Sequence, residues 1–259
     1  MSTPTSLPPE VRVLTCDNPS PMTLEGTNTY LLGAAAAPEL VVVDPGPEVH
    51  PEHLEAILAA AGDQPVGLIL VTHHHHDHFG GAAALAAATG APIRTFDPQL
   101  CSGAEPLHDG ERISTSGVDV VVLHTPGHTS DSVSFWLPGA DAMITGDTVL
   151  GQGTTMLDFP DGTLTDYLAS LDQLAEYPQA ALLPAHGPLG AELGPVVAQY
   201  REHRLQRIEQ VRGLLAEHGQ LSPEEVARLV YGEDSGVHQQ VLVMIAAAQL
   251  DHIHRADQG

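Results

Sequence analysis

Residues 72–78 read Thr-His-His-His-His-Asp-His, and with positions 74 and 76 set aside they become His73-x-His75-x-Asp77-His78. Four side chains able to hold a metal fall within six residues. Imidazole and carboxylate together suit zinc, and this number of donors in one loop serves two cations better than one. A purification tag would sit at a terminus without the interrupting Asp77, and a loose surface histidine tract is the other bland source of such a run. The preceding residues decide between them. Val66 to Val71 follow Pro65 as an apolar run, which reads as a buried strand ending in a loop that aims several imidazoles at one point.

Three further motifs follow apolar runs in the same way. Pro126-Gly127-His128-Thr129 comes after 118–123, Thr145-Gly146-Asp147-Thr148 closes 142–145, and Pro184-Ala185-His186-Gly187 comes after 181–183. Each brings one metal-capable residue beside a glycine that lets the backbone turn tightly. A single histidine next to glycine is usually an ordinary loop residue. Four such strand ends in order, carrying His-x-His-x-Asp-His, His, Asp and His, are hard to obtain by accident.

The elements that must position these residues are legible as well. Strands are expected over 11–15, 29–32, 40–43, 66–71, 118–123, 133–137, 142–145 and 181–183. Helical patterns lie at 53–61, 81–89 and 164–177, the last with Leu164, Leu168, Leu171 and Leu174 on one face. The mixture predicts an α/β layered domain over residues 1–195. After Pro195 the composition shifts to a helical unit, 196–259. A long helix ends at Gly219, a second opens on Ser222-Pro223-Glu224-Glu225 with cap, proline and third-position glutamate in place, and a third runs from about 238 to 254.

Composition narrows the partners. The chain has 259 residues, a formal charge of −24, and nine basic residues that are all arginine. Such acidity opposes general contact with duplex DNA or anionic lipid. Cys16 and Cys101 are the only cysteines, which excludes a disulfide framework and leaves two free thiols. The first ten residues lack the basic start and apolar core of a secretory signal, and no apolar run has bilayer-crossing length, so a cytoplasmic protein is the expectation.

The ordered motifs resemble those of the metallo-β-lactamase fold superfamily of hydrolases over roughly residues 11–195. The resemblance implies a four-layer αβ/βα sandwich with two divalent ions at one edge. It places His73, His75 and His128 on the first ion, Asp77, His78 and His186 on the second, and Asp147 between them. Asp44, in Val43-Asp44-Pro45-Gly46, resembles the motif that buttresses the metal loop from behind, and Thr72 and Thr129 would add hydrogen bonds around the ligands. His74 and His76 would be bystanders. Zinc is the preferred ion by ligand type, with manganese or iron also compatible. The implied chemistry is hydrolysis by a metal-bound hydroxide, with Asp77 orienting the water or accepting its proton.

Within the superfamily, an Asp at 147 resembles the thioesterase, phosphodiesterase and nuclease branches. Gly26-Thr27-Asn28-Thr29-Tyr30-Leu31, Gly151-Gln152-Gly153-Thr154-Thr155 and the helical tail together look like the family of β-lactamase-like protein 2, whose tail is winged-helix-like. That family includes a single-strand-specific endoribonuclease and fungal thioesterases that release polyketides from carrier proteins. A nuclease would present Arg201, Arg204, Arg207 and Arg212 to single-stranded RNA, unless they pair with Glu202, Glu209 and Glu217 on a solvated helix. An acyl thioesterase would have an apolar pocket supplied by Met156, Leu157, Phe159 and Tyr200, and Thr154, Thr155 and Met156 are expected to line the substrate whatever its class. A small molecule is a third substrate class, a non-catalytic metal-bound regulator a third kind of function, and a homo-oligomer is compatible with each.

Overall fold

Alternation decides the layering. The computed structural model describes residues 7–34, 36–232 and 238–258, and places ten strands in two five-stranded sheets. The first sheet has the order β1 (Val11–Thr15), β2 (Asn28–Leu32), β3 (Leu40–Val43), β4 (Val66–Leu70) and β5 (Ile93–Arg94). The second has β10 (Ala181–Pro184), β9 (Ala142–Gly146), β8 (Val133–Leu137), β7 (Val118–His124) and β6 (Arg112–Thr115). Tyr30, Leu32, Val41, Val43 and Leu70 face inward to meet Val120, Val122, Phe135, Ile144 and Leu183 of the other sheet. The residues between them, Leu31, Leu40, Val42 and Ile69, point outward onto α1 (Pro51–Ala61) and α3 (Ala82–Thr89). A period of two on both faces of each buried strand gives sheet on sheet with helices outside, the expected four layers.

The outer face of the second sheet carries α4 (Leu164–Leu174) and α5 (Leu193–His218). Tyr167, Leu171 and Leu174 of α4 and Val196, Val197 and Tyr200 of α5 share one apolar cluster with Leu123, Met143 and Leu182. Leu168, expected on the buried face of α4, is only partly buried at its margin. The helices α6 (Pro223–Tyr231) and α7 (Gln239–Ala256) close the cluster from the C-terminal side. The Ser222 capping box forms as expected: its side chain accepts from the Glu225 amide, and Glu225 reaches back to the Ser222 amide. The helix α5 starts at Leu193, ahead of Pro195, because the first turn of a helix has no amide bond for proline to break. Among the described residues no helix is long and apolar enough to cross a membrane.

The two sheets are stitched together at one edge. The Tyr30 hydroxyl donates to the Pro184 carbonyl at 2.7 Å, Asn28 Nδ2 donates to the carbonyls of Pro184 and Gly187 at 3.0 and 3.1 Å, and the Asn28 amide donates to Ala185 O at 2.7 Å. On the other side the Val133 amide donates to Thr72 O at 2.8 Å. The loops that follow β4, β7, β9 and β10 emerge at this edge.

Candidate metal centre

The loop after β4 turns at once into a single helical turn, α2 (His76–Phe79), which the apolar run gave no means of foreseeing. Asp44, just past β3, fixes that loop. Its Oδ1 accepts the Thr72 amide at 2.8 Å, and its Oδ2 accepts the Thr72 hydroxyl at 2.8 Å and His78 Nδ1 at 2.9 Å. The loop after β9 needs Gly146 for its turn. Its φ is +51°, and a Cβ there would lie 2.8 Å from Thr72 Cβ.

Two groups of donors result. In the first, His75 Nδ1 lies 3.1 Å from His73 Nε2 and 3.0 Å from His128 Nε2. In the second, His186 Nε2 lies 3.2 Å from Asp77 Oδ2 and 3.3 Å from Asp147 Oδ1, and His78 Nε2 lies 3.6 Å from each of those oxygens. Asp147 turns its other oxygen, Oδ2, toward the first group, 3.6 Å from His128 Nε2. All seven residues named from the motifs therefore come together, and Asp147 stands between the groups.

The donors fit cations. Metal–nitrogen bonds of ~2.0–2.1 Å in a tetrahedral shell put neighbouring donor atoms about 3.4 Å apart, within the range these pairs span. Nitrogens facing one another at such distances need a proton or a cation between them. The buried His78 Nε2 and Asp147 Oδ1 have no hydrogen-bond partner, a costly arrangement for atoms that no ion satisfies. Each imidazole is also gripped by its other nitrogen: His73 Nδ1 by the Thr72 hydroxyl, His75 Nε2 by Asp158, His78 Nδ1 by Asp44, His128 Nδ1 by Met156 O, and His186 Nδ1 by Gly26 O. Such outer bonds fix which nitrogen is left for a metal.

The charges differ between the groups. Burial, reinforced by the neighbouring imidazoles, holds His73 well below the usual histidine range and keeps it neutral. For His78, burial alone would do the same, but Asp77, Asp147 and Asp44 override it and push its pKa up to about 10. Asp77 is drawn the other way: burial would raise it, yet His78 and His186 hold it below the usual carboxylate range. Without metal, His78 therefore carries a proton that a cation must displace. Metal binding at about pH 7.5 should release at least one proton from this group, since Asp147 and Asp77 outweigh burial to raise His186 as well, and affinity should rise with pH until His78 deprotonates by itself near 10. Calorimetry in buffers of different ionisation enthalpy reads the proton count, and uptake without release would contradict the assignment.

Several residues sit elsewhere than the sequence suggests. Thr155, expected to line a substrate pocket, is buried; its hydroxyl donates to Asp147 O at 2.8 Å and reaches Thr148 O at 3.3 Å, so it fastens the Asp147 loop. Thr154 is exposed and Met156 half-buried, with the Met156 carbonyl turned onto His128. Leu157 and Tyr200 are core residues rather than pocket walls, since they pack into the cluster under α4 and α5. Thr129 shapes the His128 turn through Asp131 and Ser132. His74 is bonded to Asp131 at 2.8 Å outside the donor groups, and His76 is exposed at the surface. Asp158 had no motif to reveal it, and the carbonyls of Gly26 and Met156 have no residue signature at all.

The chain is similar to known proteins in sequence and in fold. The model of the metallo-beta-lactamase superfamily matches residues 22–186. A beta-lactamase-like protein 2 homolog of Caenorhabditis elegans is 33% identical over 225 residues, covering 83% of this chain and 74% of that protein. An atrochrysone carboxyl ACP thioesterase of Aspergillus chevalieri is 33% identical over 242 residues, covering 87% of this chain and 74% of its own. In fold, the chain is similar to a metallo-beta-lactamase family protein of Thermus thermophilus, with a TM-score of 0.81, 23% identity, and 97% and 95% of the two chains covered. It is also similar to TTHA1623, solved in a di-iron-bound form, with a TM-score of 0.59, 28% identity, and 74% and 99% covered. With both the matched span and the relatives this extensive, the chain belongs to the metallo-beta-lactamase superfamily of hydrolases.

Proposed function

We propose that the protein is a dinuclear metal hydrolase acting on acyl thioesters, with a catalytic unit at 1–195 and a helical unit at 196–259. The metal part rests on the two donor groups joined by Asp147. Zinc fits imidazole and carboxylate donors best, and iron or manganese also suits them. When bound there, two divalent cations supply a Lewis acid for the carbonyl and a water acidified towards neutrality. The residues supply the rest. Asp77, more exposed than Asp147, is assigned to orient that water and take its proton. Asp147 offsets the charge of both cations, and the outer bonds of the five imidazoles keep the donors from turning away.

The choice of substrate rests on one observation: the arginines of α5 are already engaged within the chain. Arg201 bonds Asp172, Arg207 bonds Gln210 and lies over Tyr231, Arg212 bonds Glu209, and Arg204 is buried. Apart from the buried Arg204, only Arg207 on this helix keeps a charge that no carboxylate meets among the described residues, too little for a phosphate track, and the residues around the donor groups are acidic, with Asp131, Asp158 and Asp161 beside His74 and His75. A thioester needs no cationic track. The relative from Aspergillus chevalieri, named for thioester hydrolysis, supports the same reading.

The test is turnover of an acyl N-acetylcysteamine thioester, single-stranded RNA and a chromogenic β-lactam, each with and without chelator. Chelator-sensitive cleavage of the thioester is expected. Cleavage of RNA instead would replace the substrate but keep the metal chemistry. Bound metal with no chelator-sensitive turnover on any of the three would mean a non-catalytic metal protein.

A further inference from the structure

Arg204 is the least ordinary side chain outside the donor groups. It lies on α5, within the helical tail, yet it is only 6% exposed. It occupies the buried seam of that helix with Val197, Tyr200, Ile208 and Val211, where an apolar residue would be the default. Burying a guanidinium is costly unless its donors are used, and no acidic side chain pairs with it among the described residues. Its Nη2 donates instead to the carbonyl of Thr155, its head lies 5.0 Å from the centroid of the Tyr167 ring, and its Nε has no partner.

What Arg204 holds leads to the metal groups. Thr155, whose carbonyl it binds, donates its own hydroxyl to the carbonyl of Asp147. The two aromatic residues beside Arg204 act on the same segment. The Tyr167 hydroxyl donates to Thr148 O at 2.7 Å, and the Tyr200 hydroxyl accepts the Leu150 amide at 3.2 Å. The backbone around Asp147 is thus held from below by α4 and α5, and the chain Arg204–Thr155–Asp147 is the line that reaches the carbonyl of Asp147 itself. The carboxylate above must present one oxygen to each donor group, so a rotation of this backbone segment would spoil both contacts.

We infer that Arg204 is a positioning residue for the bridging carboxylate, which makes the C-terminal helices part of the metal centre. The inference extends the metal reading but is independent of the substrate. Its arrangement calls for a guanidinium, whose flat, delocalised head lies on an aromatic ring while an edge nitrogen reaches a carbonyl, a combination that a lysine ammonium reproduces only in part.

Metal titration of the full chain tests it, with cobalt(II) as the probe because its visible spectrum reports ligand geometry. Arg204→Met keeps the bulk and removes the donor. Thr155→Val cuts the same line one link nearer to Asp147 and leaves Arg204 in place. Each variant is expected to bind the weaker of two cobalt equivalents at least about tenfold less tightly and to show an altered cobalt spectrum. Arg204→Lys should recover part of the affinity, and the double variant should lose no more than the worse single one. If Arg204→Met does not fold, Thr155→Val and Arg204→Lys carry the test. Two equivalents bound with unchanged affinity and spectrum in Thr155→Val, or additive losses in a folded double variant, would overturn the inference. Failure of the thioester assay would leave these readouts untouched.

Discussion

Asp147→Ala is expected to remove the second metal equivalent and to slow hydrolysis on the order of 10³-fold or more. Two divalent charges a few ångströms apart repel about four times more strongly than two unit charges, which feel ~4 kcal/mol at ~4 Å with an effective dielectric of ~20. Asp147 is the one residue placed to offset that repulsion from both sides, with Oδ1 3.3 Å from His186 Nε2 and Oδ2 3.6 Å from His128 Nε2. Alanine leaves the first group with its three imidazoles, so one equivalent should persist. His75→Ala breaks the first group instead and should leave the Asp77, His78 and His186 set. Elemental analysis of the purified variants, alongside the turnover assay, separates the two losses. Full metal content with full rate in either variant would refute the site.

The seven candidate donors are legible in the sequence because they sit at the ends of strands that an apolar pattern marks, and because side-chain type alone suggests metal chemistry. The four layers are legible for the same reason: buried strands such as Leu40–Val43 leave no ambiguity about which element they form. The two strands that escape a reading of the sequence are poor in this signal. The strand β5 has two residues, and β6, Arg-Ile-Ser-Thr, is an edge strand with none of its residues buried. Arg204 is hidden for a different reason. Arginines at 201, 204, 207 and 212 have near-helical spacing, which suggests one charged face. The apolar residues at 197, 200, 208 and 211 define the buried seam, and 204 falls within it while 201 and 212 fall outside. The apolar seam, rather than the spacing of the arginines among themselves, is the signal that singles it out. Thr155 reads as a pocket residue because it lies in the Gly-Gln-Gly-Thr-Thr stretch that follows Asp147. Its hydroxyl finds carbonyls beneath the loop, a preference of threonine for local backbone that composition does not reveal.

Asp44→Ala is expected to cost about 3–5 kcal/mol of stability in the metal-free protein. Asp44 is 1% exposed and accepts three hydrogen bonds, from the Thr72 amide, the Thr72 hydroxyl and His78 Nδ1. Alanine would leave the Thr72 amide and His78 Nδ1 buried without this acceptor, at roughly 1–3 kcal/mol each before relaxation, while the Thr72 hydroxyl keeps His73 Nδ1 within 3.0 Å. His78 would suffer most, since it holds a proton in the metal-free protein partly because Asp44 faces it. The backbone adds to the loss: φ at Asp44 is +52°, a region that aspartate tolerates better than alanine does. For a domain of this size the change corresponds to a fall in Tm of ~10 °C. Metal affinity of the second group should fall ~10- to 100-fold as well, because His78 loses the bond that orients it. Asp44→Asn is the sharper probe. Its amide nitrogen must face either Thr72 or His78, donor against donor, so it should fall between wild type and alanine in stability while keeping the shape. Urea unfolding with chelator present isolates the stability effect, and cobalt titration isolates the metal effect. An Asp44→Ala protein within about 0.5 kcal/mol of wild type would show that the loop over residues 72–78 is held by something other than this carboxylate.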